Sequence, residues 1–131
     1  MKIFVYGTLK LNGRLSHGFD ALRGVVKPAT IKGAMYSVHG SYPAVVLSGN
    51  TEIKGELHQY DFNNCTEEGA FITAMDRIEG YNPNGDPKNN LYNRVEVFVT
   101  LTDGSMAEAM MYVFNRDVSK LDIIADGYWP V

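Results

Sequence analysis

Lys2-Ile3-Phe4-Val5-Tyr6, followed at once by Gly7-Thr8-Leu9-Lys10, is the stretch on which the reading of this fold turns. A short run of β-branched and aromatic residues reads as a strand, and Gly then Thr closes it. Glycine reaches backbone angles closed to other residues and lets a ligand come close to the main chain. Successive N–H groups in such a turn can point the same way and cradle a carboxylate or a developing oxyanion. Many strands end in Gly-Thr for structural reasons alone, so both uses of the turn stand open at this point.

Working outward, alternation and apolar runs predict further strands at Thr30–Val38, Ala44–Leu47, Glu52–Tyr60, Tyr92–Leu101 and Ala107–Phe114. Thr102-Asp103-Gly104-Ser105 between the last two is a hairpin turn signal. One helix is expected to start near Asn64 or Thr66, with Glu67 and Glu68 in its first turn, and to stop at Gly80. Ile72, Met75 and Ile78 are expected to form its buried stripe. The segment between Gly13 and Gly24 reads as either a short helix or a turn around Leu15–Leu22. Gly80 to Asn90, rich in Gly, Pro and Asn, reads as a loop. Strands dominate, so the class is α+β, a mixed sheet with one main helix.

Glu79 stands four positions after Met75 and seven after Ile72, so it lies over the apolar stripe. Desolvation and the C-terminal end of the helix dipole both disfavour its charged form and raise its pKa, which suits a general acid/base. The other reading is a boundary Glu that reaches water past the helix end.

The chain of 131 residues, 45% hydrophobic, is long enough for one domain, 1–131, with its own core. No apolar run approaches the roughly 20 residues of a membrane span, and the first apolar stretch is too short for a secretory signal. A single cysteine, Cys65, excludes an internal disulfide; with the missing signal it leads to the expectation of a cytoplasmic protein. A net charge of −3 without a basic tract argues against nucleic acid as a partner. His17, His39 and His58 lie far apart in no metal-ligand pattern, and no metal site is expected. Cys65 lacks an identifiable base and reads as a buried or incidental thiol. Lys2, Lys10 and Arg14 read as solvated or pocket-rim charges.

Tyr6-Gly7-Thr8-Leu9 at the end of the first strand, with Met75-Asp76-Arg77-Ile78-Glu79-Gly80-Tyr81 in mid-chain, resembles the gamma-glutamylcyclotransferase-like family. Gly40-Ser41-Tyr42-Pro43-Ala44, Ile53-Lys54-Gly55-Glu56-Leu57, Leu91-Tyr92-Asn93-Arg94, Met111-Tyr112-Val113-Phe114 and Gly127-Tyr128-Trp129 also look like family motifs, and they come in family order. The chain departs from the pattern at its end, where Tyr128 stands at a position commonly acidic.

The resemblance implies a small β-barrel-like sheet and a cofactor-independent enzyme that releases 5-oxoproline and a free amine from a γ-glutamyl amide. The Tyr-Gly-Thr-Leu-Lys form and the short chain look closest to the γ-glutamylamine type. Glu79 is then the catalytic acid/base; Tyr6, Gly7, Thr8, Leu9 and Tyr112 bind substrate; Tyr42 and Tyr92 are possible pocket residues. A core role for Tyr112 bonded to backbone and a role for Tyr42 in shaping the Pro43 turn stay open beside this, as does an ion pair of Arg94 with Glu56 or Glu96 in place of carboxylate binding. The Gly80–Asn90 loop is expected to cover the leaving-group side, and the partner is a small molecule bound by a monomer or weak homodimer. A non-catalytic module that holds an anionic metabolite on the same fold is the alternative. The amine released is not legible.

Overall fold

A computed structural model describes residues 1–7, 9, 10 and 23–130. Its elements are β1 (Lys2–Val5), β2 (Arg23–Val38), β3 (Tyr42–Tyr60), α1 (Cys65–Ile78), β4 (Tyr92–Leu101), β5 (Met106–Phe114) and β6 (Asp122–Ile123), with one 3-10 turn at Pro87–Asn89. The strands lie in the order β3-β1-β5-β4-β2, and β2 pairs back onto β3, which closes five of them into a barrel. The pairing of β1 with β5 is parallel and the other pairings are antiparallel, so the sheet is mixed. β6 adds to the far end of β2, at Tyr36 and Ser37.

Alternation along β1 explains how one short strand serves two apolar layers. Phe4 and Tyr6 point into a cluster with Met35, Val45, Ile53, Leu57, Val99 and Met111, drawn from all five barrel strands, which fills the interior. Ile3 and Val5 point the other way, into a cluster with Tyr60, Phe71, Met75 and Phe114, which lies between the barrel wall and α1.

Two strands are longer than the sequence pattern predicts. Ala44–Leu47 and Glu52–Tyr60 are parts of one strand, β3, whose register against β2 jumps where Gly33 faces Thr51 and Ala34 faces Val46. Leu47 to Asn50 are the extra residues, and their polar character hides the continuity. A Cβ on Gly33 would lie 2.5 Å from the Val46 carbonyl oxygen, so glycine is what lets the two backbones meet at this bulge. β2 begins at Arg23 rather than Thr30. Before Ala29 it pairs with β3 and not yet with β4, an edge that tolerates Pro28.

The helix is capped as expected: the Asn64 side chain accepts from the Glu67 N–H at 2.9 Å, and Gly80 takes a φ of 64° just past the end. Its buried face is a correction. Phe71, Met75 and Asp76 are buried, Ile72 is half-buried and Ile78 is 44% exposed. The reason is aromatic: Phe71 packs on Tyr60 at 4.5 Å and on Phe62 at 5.2 Å between ring centroids. That contact rotates the helix away from an Ile72–Ile78 stripe. Among the described residues no helix is long and apolar enough to cross a membrane.

Candidate active site

The end of β1, the start of β3, the end of α1 and the late strands β4 and β5 surround a cavity of about 170 Å³. Tyr6, Gly7 and Leu9 form one side of it, Glu79 and Ile78 another, and Tyr42, Pro43, Leu91, Tyr92 and Tyr112 complete the wall. Every site residue named from sequence therefore lies on this one cavity, except Thr8, which lies outside the described residues.

Glu79 is the C-terminal cap of α1, with its N–H donated to the Met75 carbonyl at 3.0 Å. Glu79 is half-buried and lines the cavity. Desolvation pushes its pKa up to about 7. Water is the natural partner of a carboxylate, and this one has lost most of it.

The three tyrosines nearest it are held by their own protons. Tyr6 donates to the Tyr112 carbonyl at 2.6 Å, Tyr92 to the Pro43 carbonyl at 2.7 Å, and Tyr112 to Asp76 Oδ1 at 2.6 Å. Burial raises the pKa of all three phenols, and the charge of Glu79 adds to each. They remain neutral hydroxyls in the working pH range. Tyr112 is thus neither a bare core tyrosine nor a free pocket hydroxyl: it touches both the cavity and a buried carboxylate.

The backbone-angle reason for glycine at position 7 does not hold, and a packing reason stands beside its place on the cavity wall. Its φ is not in the left-handed region. A Cβ there would lie 2.7 Å from Pro43 Cγ, so the residue is small because the proline ring of the β3 entry packs against it. The Lys10 N–H closes the turn onto the Gly7 carbonyl at 3.0 Å.

Two charged residues stand elsewhere than expected. Arg94 pairs with Asp76, Nε to Oδ1 at 3.5 Å, rather than with Glu56 or Glu96, because α1 lays Asp76 over β4 and β5. Lys10 is not a rim charge: it is 2% exposed, its ammonium donates to the Trp129 carbonyl and lies 4.2 Å from the Tyr128 ring centroid. Desolvation lowers its pKa. Glu56 instead meets His58 Nε2 at 2.9 Å.

From sequence, Asp76 enters only as part of the Met75–Tyr81 motif and carries no role; the signal for its burial was its place four residues after Ile72, on the inward side of the helix. The Gly80–Asn90 loop contributes no residue to the cavity. It is tied back on itself, Leu91 N–H to the Gly80 carbonyl and Asn82 N–H to Asn90 Oδ1, both at 3.0 Å, and it borders a separate polar recess with Asp76 and Arg77. Among the described residues no group of three or more His, Cys, Asp or Glu side chains could hold a metal ion.

Comparison with known proteins finds relatives along nearly the whole chain. A gamma-L-glutamyl-butirosin B gamma-glutamyl cyclotransferase from Niallia circulans is 30% identical over 116 residues, which is 88% of this chain and 67% of that protein. The structure of YkqA from Bacillus subtilis superposes with a TM-score of 0.69 at 23% identity, over 98% of this chain and only 39% of YkqA. That of ytfP from Escherichia coli gives 0.65 at 27% identity, over 98% of this chain and 96% of that one. Residues 3–131 match the family described as gamma-glutamyl cyclotransferase, AIG2-like, and the chain belongs to that family.

Proposed function

We propose that this protein is a γ-glutamyl cyclotransferase that converts a γ-glutamyl amide to 5-oxoproline and a free amine, with γ-glutamylamines as the substrate type. The observation that carries the reading is the meeting of a desolvated Glu79 with the Tyr6-Gly7-Leu9 turn in one cavity. Family membership and the name of the butirosin-related homologue support it.

The reaction asks for little beyond position and proton transfer. The α-nitrogen attacks the carbon of the side-chain amide in the same molecule, so a bond forms between them and the amide C–N bond breaks. Tethering removes the cost of bringing two reactants together, and the cavity's task is to hold the bent conformer. Glu79 takes a proton from the α-ammonium and returns one to the departing nitrogen. An ordinary Glu near 4.3 would face an α-ammonium near 8 across roughly 5 kcal/mol. A Glu79 at about 7 leaves a gap of about 1 unit, or about 1.4 kcal/mol. The backbone of the Tyr6–Leu9 turn is assigned the α-carboxylate and the charge that develops on the carbonyl oxygen.

The alternative, a module that holds an anionic metabolite without turnover, sits badly with Glu79, since a carboxylate in the wall repels the anion. The test is incubation of the protein with a panel of γ-glutamyl amides and detection of 5-oxoproline by mass spectrometry. Release from at least one, lost in Glu79→Gln while substrate affinity stays within roughly tenfold, is the expected result. Turnover that survives Glu79→Gln would remove Glu79 from the chemistry.

A further inference from the structure

The reacting-group assignments above leave unexplained why a carboxylate is buried directly behind the cavity. Asp76 is 6% exposed, receives the Tyr112 hydroxyl at 2.6 Å and faces the Arg94 guanidinium at 3.5 Å. As a carboxylate it offers lone pairs and no proton. Tyr112 has one proton, and it is directed at Asp76, so what the Tyr112 oxygen has left for the cavity is lone pairs. Tyr92 is in the same state, its proton given to the Pro43 carbonyl at 2.7 Å. Glu79 is an acceptor when ionised; Tyr6 and Tyr42 line the cavity as well, and the Tyr6 proton is given to the Tyr112 carbonyl. The side-chain groups around this end of the cavity are therefore matched to a ligand group that donates several hydrogens, which a primary ammonium does and a hydroxyl or carboxylate does not.

We propose that Asp76 is a positioning residue: by fixing the Tyr112 proton it makes that hydroxyl an acceptor, so that Tyr112, Tyr92 and Glu79 together receive the ammonium group of the ligand. The inference rests on reading the cavity as the γ-glutamyl site, and deepens it by naming which residues select for the free α-ammonium. Tyr112 and Arg94 both point at the same oxygen, Asp76 Oδ1, so Asn at position 76 keeps an acceptor there through its amide oxygen. Leu has nearly the shape of Asp and offers no acceptor, which frees the phenolic proton to turn toward the cavity.

The test measures binding by the full chain of two molecules that differ only in the group at issue: L-glutamine, and glutaramate, the same molecule without the α-ammonium. Titration is followed by NMR or calorimetry on the native protein, Asp76→Leu, Tyr112→Phe and the double variant. The native protein is expected to favour L-glutamine by roughly tenfold or more. Asp76→Leu is expected to lose L-glutamine affinity by roughly three- to tenfold with glutaramate unchanged. In the Tyr112→Phe background, Asp76→Leu has no further effect, because its route to the ligand is gone.

A direct effect of the lost charge on the ammonium would persist in that background and would overturn the proposal, as would equal weakening of both ligands or no preference in the native protein. If Asp76→Leu does not fold, Asp76→Asn decides: it keeps the acceptor without the charge and must retain the native preference that Tyr112→Phe loses, and a lost preference in Asp76→Asn would overturn the proposal. The outcome for the enzymatic reading is separate. A native protein that prefers L-glutamine yet makes no 5-oxoproline from any γ-glutamyl amide refutes the cyclotransferase and leaves the role of Asp76 standing.

Discussion

The pyrrolidine ring of Pro43 occupies the space that a side chain at Gly7 would need, with Pro43 Cγ 2.7 Å from the position of a Cβ there. The carbonyl of the same proline receives the Tyr92 hydroxyl. Two segments that the sequence separates, the turn after β1 and the entry to β3, are thus locked together at the cavity wall, with β4 attached to the second through Tyr92.

Gly7→Ala is therefore expected to force the two turns apart, at a cost of about 1–3 kcal/mol in stability. The damage should fall on the cavity first. Denaturant unfolding would show the loss, and turnover should fall further than stability alone explains. An alanine variant with native stability and native turnover would show that the Pro43 ring moves freely.

The acid limb of the pH profile should report Glu79. With its pKa at about 7, kcat/KM rises about tenfold per pH unit below that value and levels off above it, because the base must be ionised to accept the α-ammonium proton. A profile flat down to pH 5 would mean that an ordinary, solvated carboxylate does the work. In Glu79→Asp the shorter side chain keeps the chemistry but loses reach, and kcat should drop with the limb still present.

The same burial makes Glu79 a liability for stability, and the direction is fixed by linkage. Below pH 4.5 the group is protonated in both the folded and the unfolded chain and contributes no penalty. As pH rises from about 4.5 to about 7, the unfolded chain releases the proton before the folded one does, and stability falls. Above about 7 the loss is complete, on the order of 3 kcal/mol. Glu79→Gln should accordingly be more stable than the native protein at pH 8, by about 1–3 kcal/mol, and nearly equal to it at pH 4. Thermal melts at the two pH values check this. A variant less stable at pH 8 would show that the carboxylate is better solvated than its surroundings imply.

Lys10 ties the chain just past the first turn to the C-terminal segment through the Trp129 carbonyl. Removing that donor in Lys10→Ala should cost about 1–2 kcal/mol. The chain has one tryptophan, so its fluorescence reads the segment directly: the emission should shift to the red as Trp129 loosens from the barrel end. Unchanged emission would place the anchor of that segment in other contacts, such as the Lys54 N–H to the Gly127 carbonyl at 2.9 Å.

How much of this was legible in the sequence varies with the range of the interactions involved. β4 and the helix cap at Asn64 are set by local pattern and capping chemistry, and both stand where the sequence puts them. The bulge in β3 was hidden because Ser48-Gly49-Asn50 interrupts the pattern after the strand predicted to end at Leu47; only the pairing across Gly33 reveals one strand. The meeting of Glu79 with Tyr6 and Gly7 spans more than 70 residues, and periodicity alone says nothing of it; the family resemblance supplied that expectation. The reason for Gly7 and the partner of Arg94 depend on Pro43 and Asp76, residues whose importance appears only when distant segments pack.

β1 lies between β3 and β5, antiparallel to one and parallel to the other. On a growing chain, the first strand made can pair with β3 on one side, but its other edge stays bare until residues beyond 105 have been synthesised. The cavity, which is built on the end of that strand, therefore takes shape last, and a nascent chain stopped short of β5 presents an apolar open edge suited to aggregation rather than to any ligand.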